Sequence, residues 1–308
     1  MQLKWGRPDL AAYQAQPATP TASPTSPVTV TFLGVTTLLF DDGKSAVMTD
    51  GFFTRPSLPR TLLTSLRSDP ARVDYALRRA GVDTLDAVAC GHSHYDHALD
   101  SAAVAQRTGA TLVGGESTAQ LGRGSQLPSG RIATVAPGDA LTFGAFTLTF
   151  IESEHSHPDR VQGTIDHPIA QPAPVRAYKC GETWSILVEH NESGHSALVH
   201  SSAGFRPGML EGHRADVVYL AVGQLGHQPR DFIEQYWAET VATVGARAVT
   251  LTHWDDFFRP LTKPLRALPY AVDDLDAAMR VLTMCAERDE VHLELPELWR
   301  QTDPWAPR

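Results

Sequence analysis

Cysteine is scarce in this chain. Its 308 residues include three, Cys90, Cys180 and Cys285, far apart and in no Cys-x-x-Cys spacing. That excludes a disulfide framework and a cysteine-built zinc knuckle, and it favours a reducing compartment. Long apolar runs are missing too. No stretch reaches the roughly 20 uninterrupted apolar residues that span a bilayer, and the opening MQLKWGRPDL lacks the apolar centre of a signal peptide. Both absences lead us to expect a soluble, cytoplasmic protein. Basic residues are in the minority, 26 Lys and Arg against 35 Asp and Glu, for a net charge of −9 with histidine neutral. A generic phosphate-tracking surface is disfavoured by that balance, so no nucleic-acid partner is expected. Nothing in the chain specifies an oligomeric state.

The segment Gln16 to Pro27, QPATPTASPTSP, has no apolar period and is rich in Pro, Ser and Thr, which predicts an extended surface arm over residues 1–27. A single domain is expected over 28–308. It opens with the strands VTVTFLG, TTLLF and SAVMTD. DPARVDYALRRAG follows as a helix, with Asp69 as N-cap, Pro70 in the first turn and Gly81 as the stop. LDAVAC reads as a buried strand, SAAVAQRTG as a helix and ATLVGG as another strand. The second half continues with the strands LTFGAFTLTFIESEH, WSILVEH, HSALVHS and DVVYLAV, the helix DFIEQYWAETVATVG and the strand AVTLTHW. Between them lies an irregular insert, His157 to Lys179, of a length that compact domains reserve for lids or disorder.

Histidine, by contrast, is abundant, with 13 in the chain. GHSHYDH, between a predicted strand and a predicted helix, packs His92, His94, Asp96 and His97 into one loop. Side chains two apart on an extended segment point the same way, so His92 and His94 can offer two imidazoles to one ion, with Asp96 and His97 close behind. The bland reading is a solvated polar turn. His155 and His253 stand at predicted strand ends, where an isolated histidine is more often a capped or solvent-facing residue than a ligand.

The pattern His-x-His-x-Asp-His after a strand and before a helix resembles the metallo-β-lactamase superfamily, and the resemblance extends over nearly all of Val28 to Leu295. The branch it looks most like contains ascorbate-6-phosphate lactonase and N-acylphosphatidylethanolamine-hydrolysing phospholipase D. The resemblance implies an α/β (α+β) fold, an αββα sandwich of two mixed β-sheets flanked by helices. It also implies one ion held by His92, His94 and His155, with His157 the competitor for the third place, and a second held by Asp96, His97 and His253. Zinc is the expected metal, as one or two ions, with Mn2+ or Fe2+ as alternatives. One departure stands out: most members place a metal-bridging Asp in a Gly-Asp-Thr-like turn, whereas ALVHSSAGF puts Ser202 there. A neutral hydroxyl lacks the charge and reach of a carboxylate, so the second ion should bind more weakly or use a substitute, for which His200 is the candidate.

A divalent ion among neutral imidazoles acidifies water towards neutrality and polarises a carbonyl or phosphoryl oxygen. The expected function is therefore metal-dependent hydrolysis of an ester, lactone, amide or phosphodiester in a small or lipid-like molecule. Asp96 would orient the water or shuttle its proton, and His227, in a loop that lines the site in this branch, would contact substrate or a developing oxyanion. Asp50 fits either a role orienting a ligand or a turn cap. The stretch Trp254 to Arg259 could wall the pocket, Arg259 holding an anionic group, while Asp166 and His167 are spare donors in the insert. The alternatives are an iron-binding oxidoreductase and a catalytically degenerate ligand-binding member of the same fold. His94→Ala should remove metal and activity while leaving the fold nearly intact; elemental mass spectrometry and circular dichroism of the variant check this, and retention of both metal and activity would refute the assignment.

Overall fold

The computed structural model describes residues 4–13 and 18–306. The first half runs β1 (Thr29–Phe32), β2 (Leu38–Asp41), β3 (Ala46–Thr49), α1 (Leu58–Leu63), β4 (Ser65–Leu66), α2 (Pro70–Ala80), β5 (Ala87–Ala89), α3 (Tyr95–Ala98), α4 (Ser101–Thr108), β6 (Thr111–Gly114), α5 (Glu116–Gly124) and β7 (Ile132–Thr134). The second runs β8 (Ala140–Phe143), β9 (Phe146–Glu152), β10 (Ala173–Pro174), β11 (Trp184–His190), β12 (Ser196–His200), β13 (Val217–Ala221), α6 (Arg230–Trp237), β14 (Ala248–Thr252), α7 (Leu275–Arg288), β15 (His292–Glu294) and β16 (Gln301–Thr302). Fourteen of the strands form two seven-stranded sheets, ordered β16-β1-β2-β3-β5-β6-β7 and β15-β14-β13-β12-β11-β9-β8, and β4 pairs with β10. Each sheet is mixed: β1, β2 and β3 pair antiparallel while β5, β6 and β7 extend from β3 in parallel, and β12 to β15 are parallel while β8, β9, β11 and β12 are antiparallel.

Strand alternation builds the layers. In β2, Leu38 and Phe40 point into the core between the sheets, while Leu39 points to the outer helices; Val47 and Met48 of β3 divide the same way. The inter-sheet core joins Phe40 to Tyr219 edge to face, at 5.8 Å between ring centres. Outside the first sheet, Val73 and Leu77 of α2 and Val104 of α4 cover Leu39, Met48 and Val88. Outside the second, Ile233 and Trp237 of α6 and Leu282 of α7 belong to the core of that sheet. The architecture is the αββα sandwich of a metallo-β-lactamase fold.

Helix α2 forms as its residues dictate: the Asp69 carboxylate accepts from the Ala71 amide at 3.1 Å, and Gly81 closes the helix in the left-handed region at φ 72°. The expected helix after His227 splits, α6 passing into a π turn over Ala238–Ala242. Sequence reading passed over α7, a 14-residue helix with Leu275, Ala278, Met279, Leu282, Cys285 and Ala286 on its buried face and an Asp274 N-cap. From residue 18 the N-terminal arm runs extended but is pinned to the body: the Thr19 amide donates to the Glu294 carboxylate at 2.6 Å, and Thr21 bridges to Thr302. Gln16 and Pro17 lie outside the described residues. Among the described residues no helix is long and apolar enough to cross a membrane. Because Leu282 is fully buried, Leu282→Ala should destabilise the protein by about 2 to 5 kcal/mol, which chemical denaturation measures; a loss below about 0.5 kcal/mol would mean α7 is not part of the core.

Candidate metal centre

The loop after β5 enters the site at Gly91, whose amide donates to Asp50 Oδ1 at 2.9 Å. Only glycine fits there, since a Cβ would stand 2.3 Å from the Ser201 side chain. His92 and His97 are buried with ring centres 3.8 Å apart, and His94 and His155 complete the group. Two sets of ligand atoms result, His92 with His94 and His155, and Asp96 with His97 and His253, the atoms within each set lying within 4.8 Å of one another. The nominated histidines and Asp96 thus converge at the ends of β5, β9 and β14. His157 does not; it is exposed, 3.7 Å from Glu154.

Hydrogen bonds settle which ring nitrogen faces the centre. The His155 Nδ1–H reaches the Ser156 carbonyl at 2.8 Å, leaving Nε2 inward, 3.1 Å from His94 Nδ1. On the outer side of His94, Nε2 meets the Val161 carbonyl at 3.2 Å and Asp159 at 3.5 Å. His97 Nδ1 bonds Asp50 Oδ2 at 2.8 Å, so its Nε2 faces inward. The Thr36 hydroxyl reaches both Asp50 Oδ2 and, at 2.9 Å, His97 Nδ1. Asp50 therefore ties down both Gly91 and His97 from a left-handed backbone at φ 56°.

Burial and mutual repulsion by His97, His155, His94 and His253 hold the His92 pKa well below its ordinary value, so it stays neutral with one nitrogen lone pair free. Burial and the neighbouring His94 bring His155 down to about 4. Burial would raise the Asp96 pKa, but the hydrogen bond from His253 and the nearby imidazoles outweigh it, and the carboxylate is ionised. His253 shows the reciprocal balance: burial lowers its pKa, and Asp96, 3.4 Å away, raises it further. Both ring nitrogens of His92, Nε2 of His97 and Nδ1 of His253 are buried without a hydrogen-bond partner. Unpaired dry nitrogens are costly, and a cation between them would satisfy those that converge. The residues present fit a divalent ion.

Other nominated residues fall elsewhere. His200 is consumed within the fold, Nδ1 bonding the Ser185 hydroxyl and Nε2 the Gly204 carbonyl, both at 2.7 Å, so it offers no nitrogen as a substitute bridge. Ser202 Oγ accepts from the Ser156 amide at 2.9 Å and anchors the loop that carries His155. The exposed His227 bonds the Val272 carbonyl at 3.0 Å; from its loop, Gly223 and Gln224 reach the pocket instead. Arg259 bonds the Pro264 carbonyl, Asp166 pairs with His167 at the surface, and Trp254 is core. Phe257 and Phe258 do line the pocket.

Sequence reading missed Arg55. Its guanidinium and the Asp255 carboxylate, both fully buried, form an ion pair. The other Asp255 oxygen accepts from the Val35 amide at 2.8 Å, and the Val35 carbonyl accepts from the His253 amide at 2.8 Å. Val35, Arg55 and His253 all sit at positive φ, 53°, 44° and 58°. Strained backbone of this kind persists only where its surroundings over-determine it. The strap fixes the His253 turn to the loop bearing Thr36. The motif FFTRP carries no signal for such a role.

The family model of the metallo-beta-lactamase superfamily matches residues 30–231. The chain belongs to that superfamily. No curated protein matches it significantly. Among solved structures, it is similar to Igni18, a metallo hydrolase from Ignicoccus hospitalis, at 12% identity and a TM-score of 0.55, over 89% of this chain and 97% of that one. YhfI, a metallo-beta-lactamase fold protein from Bacillus subtilis, gives 16% identity and 0.53 over 89% and 98%. CmlA, a diiron beta-hydroxylase from Streptomyces venezuelae, gives 13% and 0.52 over 91% of this chain and 55% of CmlA. These likenesses are of fold. Removing the carboxylate that orients His97, by Asp50→Ala, should weaken the ion of the Asp96, His97 and His253 set by about 10- to 100-fold and that of the His92 set by less, since Asp50 supports the latter only through the Gly91 amide; isothermal titration of the metal-free protein with zinc measures both.

Proposed function

We propose that this protein is a zinc-type hydrolase that cleaves an ester, lactone, amide or phosphodiester in a small or lipid-like molecule. The observation that carries the reading is His92, an imidazole buried with both nitrogens unpaired and set among ligand atoms of His94 and His155. One ion would be held by His92, His94 and His155 and a second by Asp96, His97 and His253. Bound there, a divalent ion supplies acidified water and polarises a carbonyl or phosphoryl oxygen.

The chain's own groups do the rest. Asp96, ionised and lining the pocket, is placed to orient a water molecule and take its proton. The pocket over the ligands measures about 410 Å3, within the range of small-molecule sites. Leu58, Leu62, Val175, Phe257, Phe258 and Leu268 give it apolar walls, and Arg160 stands among them as a cation for an anionic group. Arg160, rather than Arg259, takes that place. The insert contributes Pro158, Arg160, Val161, Val175 and Tyr178 to the pocket, which suits a segment that sets specificity.

The likeness to CmlA favours one second reading, an iron oxidoreductase on the same ligands. Two measurements separate the readings: metal content by elemental mass spectrometry of protein purified without chelator, and turnover of a panel of nitrophenyl esters, a lactone and a phosphodiester. Zinc with turnover that a chelator abolishes is expected. Iron with no hydrolysis would favour the oxidoreductase, and no turnover after loading with zinc, manganese, iron or cobalt would indicate a ligand-binding protein.

A further inference from the structure

The insert brings a third set of ligand atoms together at the outer edge of the centre. His94, Asp159 and Cys180 offer Nε2, a carboxylate oxygen and Sγ within 4.8 Å of one another. His94 and Cys180 are buried and Asp159 is partly so. These atoms lie on the side of His94 turned away from His155, where Nε2 meets Asp159 at 3.5 Å. A second cavity of about 690 Å3, adjoining the apolar pocket at His155, opens onto Asp159 and Cys180. Its walls include Glu154 and Glu182, which draw cations, while Glu116 is paired with Arg123 and Glu152 with Arg206, the cavity's one arginine.

We propose that His94 Nε2, the Asp159 carboxylate and the Cys180 thiolate form an inhibitory site for a soft divalent cation such as zinc or cadmium, reached through this cavity. Nitrogen, oxygen and sulfur donors in one set match thiophilic ions and disfavour magnesium and calcium. Cys180 is a free thiol, and an ion bound there would displace its proton to water. The inhibition follows from the chemistry of one imidazole. Neutral His94 carries one proton and one lone pair. To serve His92 and His155 it keeps the proton on Nε2, bonded to Val161 and Asp159, and presents Nδ1 inward. To serve Asp159 and Cys180 the proton must move to Nδ1, and the first set loses a ligand. As long as the ring keeps its proton the two sites exclude each other through His94, and an ion behind the insert disables the His92 set. Loss of that proton to water, giving an imidazolate that bridges both ions, is the outcome that would break the exclusion.

The site itself does not depend on the hydrolase reading; only its inhibitory consequence does. The test titrates the metal-loaded protein with cadmium and follows the ultraviolet charge-transfer absorption of a cadmium–thiolate bond. A saturable band is expected in the wild type. It should be lost in Cys180→Ser and weakened at least about tenfold in apparent affinity in Asp159→Asn, with the fold of each checked by circular dichroism. No band in the wild type, or an equal band in Cys180→Ser, overturns the site. A band that saturates while hydrolysis, or in its absence the zinc bound at the His92 set, stays constant overturns the exclusion through His94.

Discussion

A guanidinium and a carboxylate withdrawn completely from water are costly to bury, and they repay that cost only where their geometry fixes something else. Arg55 and Asp255 do so here. Their pair holds Val35, and through Val35 the His253 turn, against the loop whose Thr36 touches both Asp50 and His97. Residues from opposite ends of the domain are thereby held in one register. The sheets bring the ligands to the same edge; the strap sets how closely the last of them approaches the rest.

Around that constraint the polar accounting of the centre is unusual. Each of His94, His97 and His155 has one nitrogen occupied by an acceptor on its outer side, whereas His92 has none. Its neighbours are oriented by the fold, and it is placed by packing alone. A site built this way has His92, His94 and His155 held neutral and aimed before any cation arrives, which lowers the reorganisation that binding demands.

Much of the fold could be read from local pattern. Alternating strands, the Asp69–Pro70 start and the Gly81 stop have signatures within a few residues, and all appear where expected. Helix α7 escaped because the reading looked for strands and ligands late in the chain, although its apolar spacing was visible. The site was legible where it is compact: His92 to His97 share one loop. Its supports were not, since Arg55, Asp159 and Ser202 act through partners scattered along the chain, and no short window shows that a serine at a bridging position bonds a neighbouring amide instead. His200 and His227 illustrate the converse, residues of the right type of which the fold already uses both nitrogens of the first and Nε2 of the second.

The first sheet carries a strand from the far end of the polypeptide. β16 pairs with β1, Val30 opposite Thr302 and Thr31 opposite Gln301, and the arm at Thr21 closes over it. During synthesis, then, the N-terminal half emerges with an open strand edge that its own sequence cannot cover. Such an edge is a template for pairing with other chains, and pairings this distant in sequence form slowly. The first sheet cannot be sealed until β16 has been made, so the nascent protein's exposure to misassembly on the ribosome is set by the separation of β1 and β16 along the chain rather than by the size of that sheet.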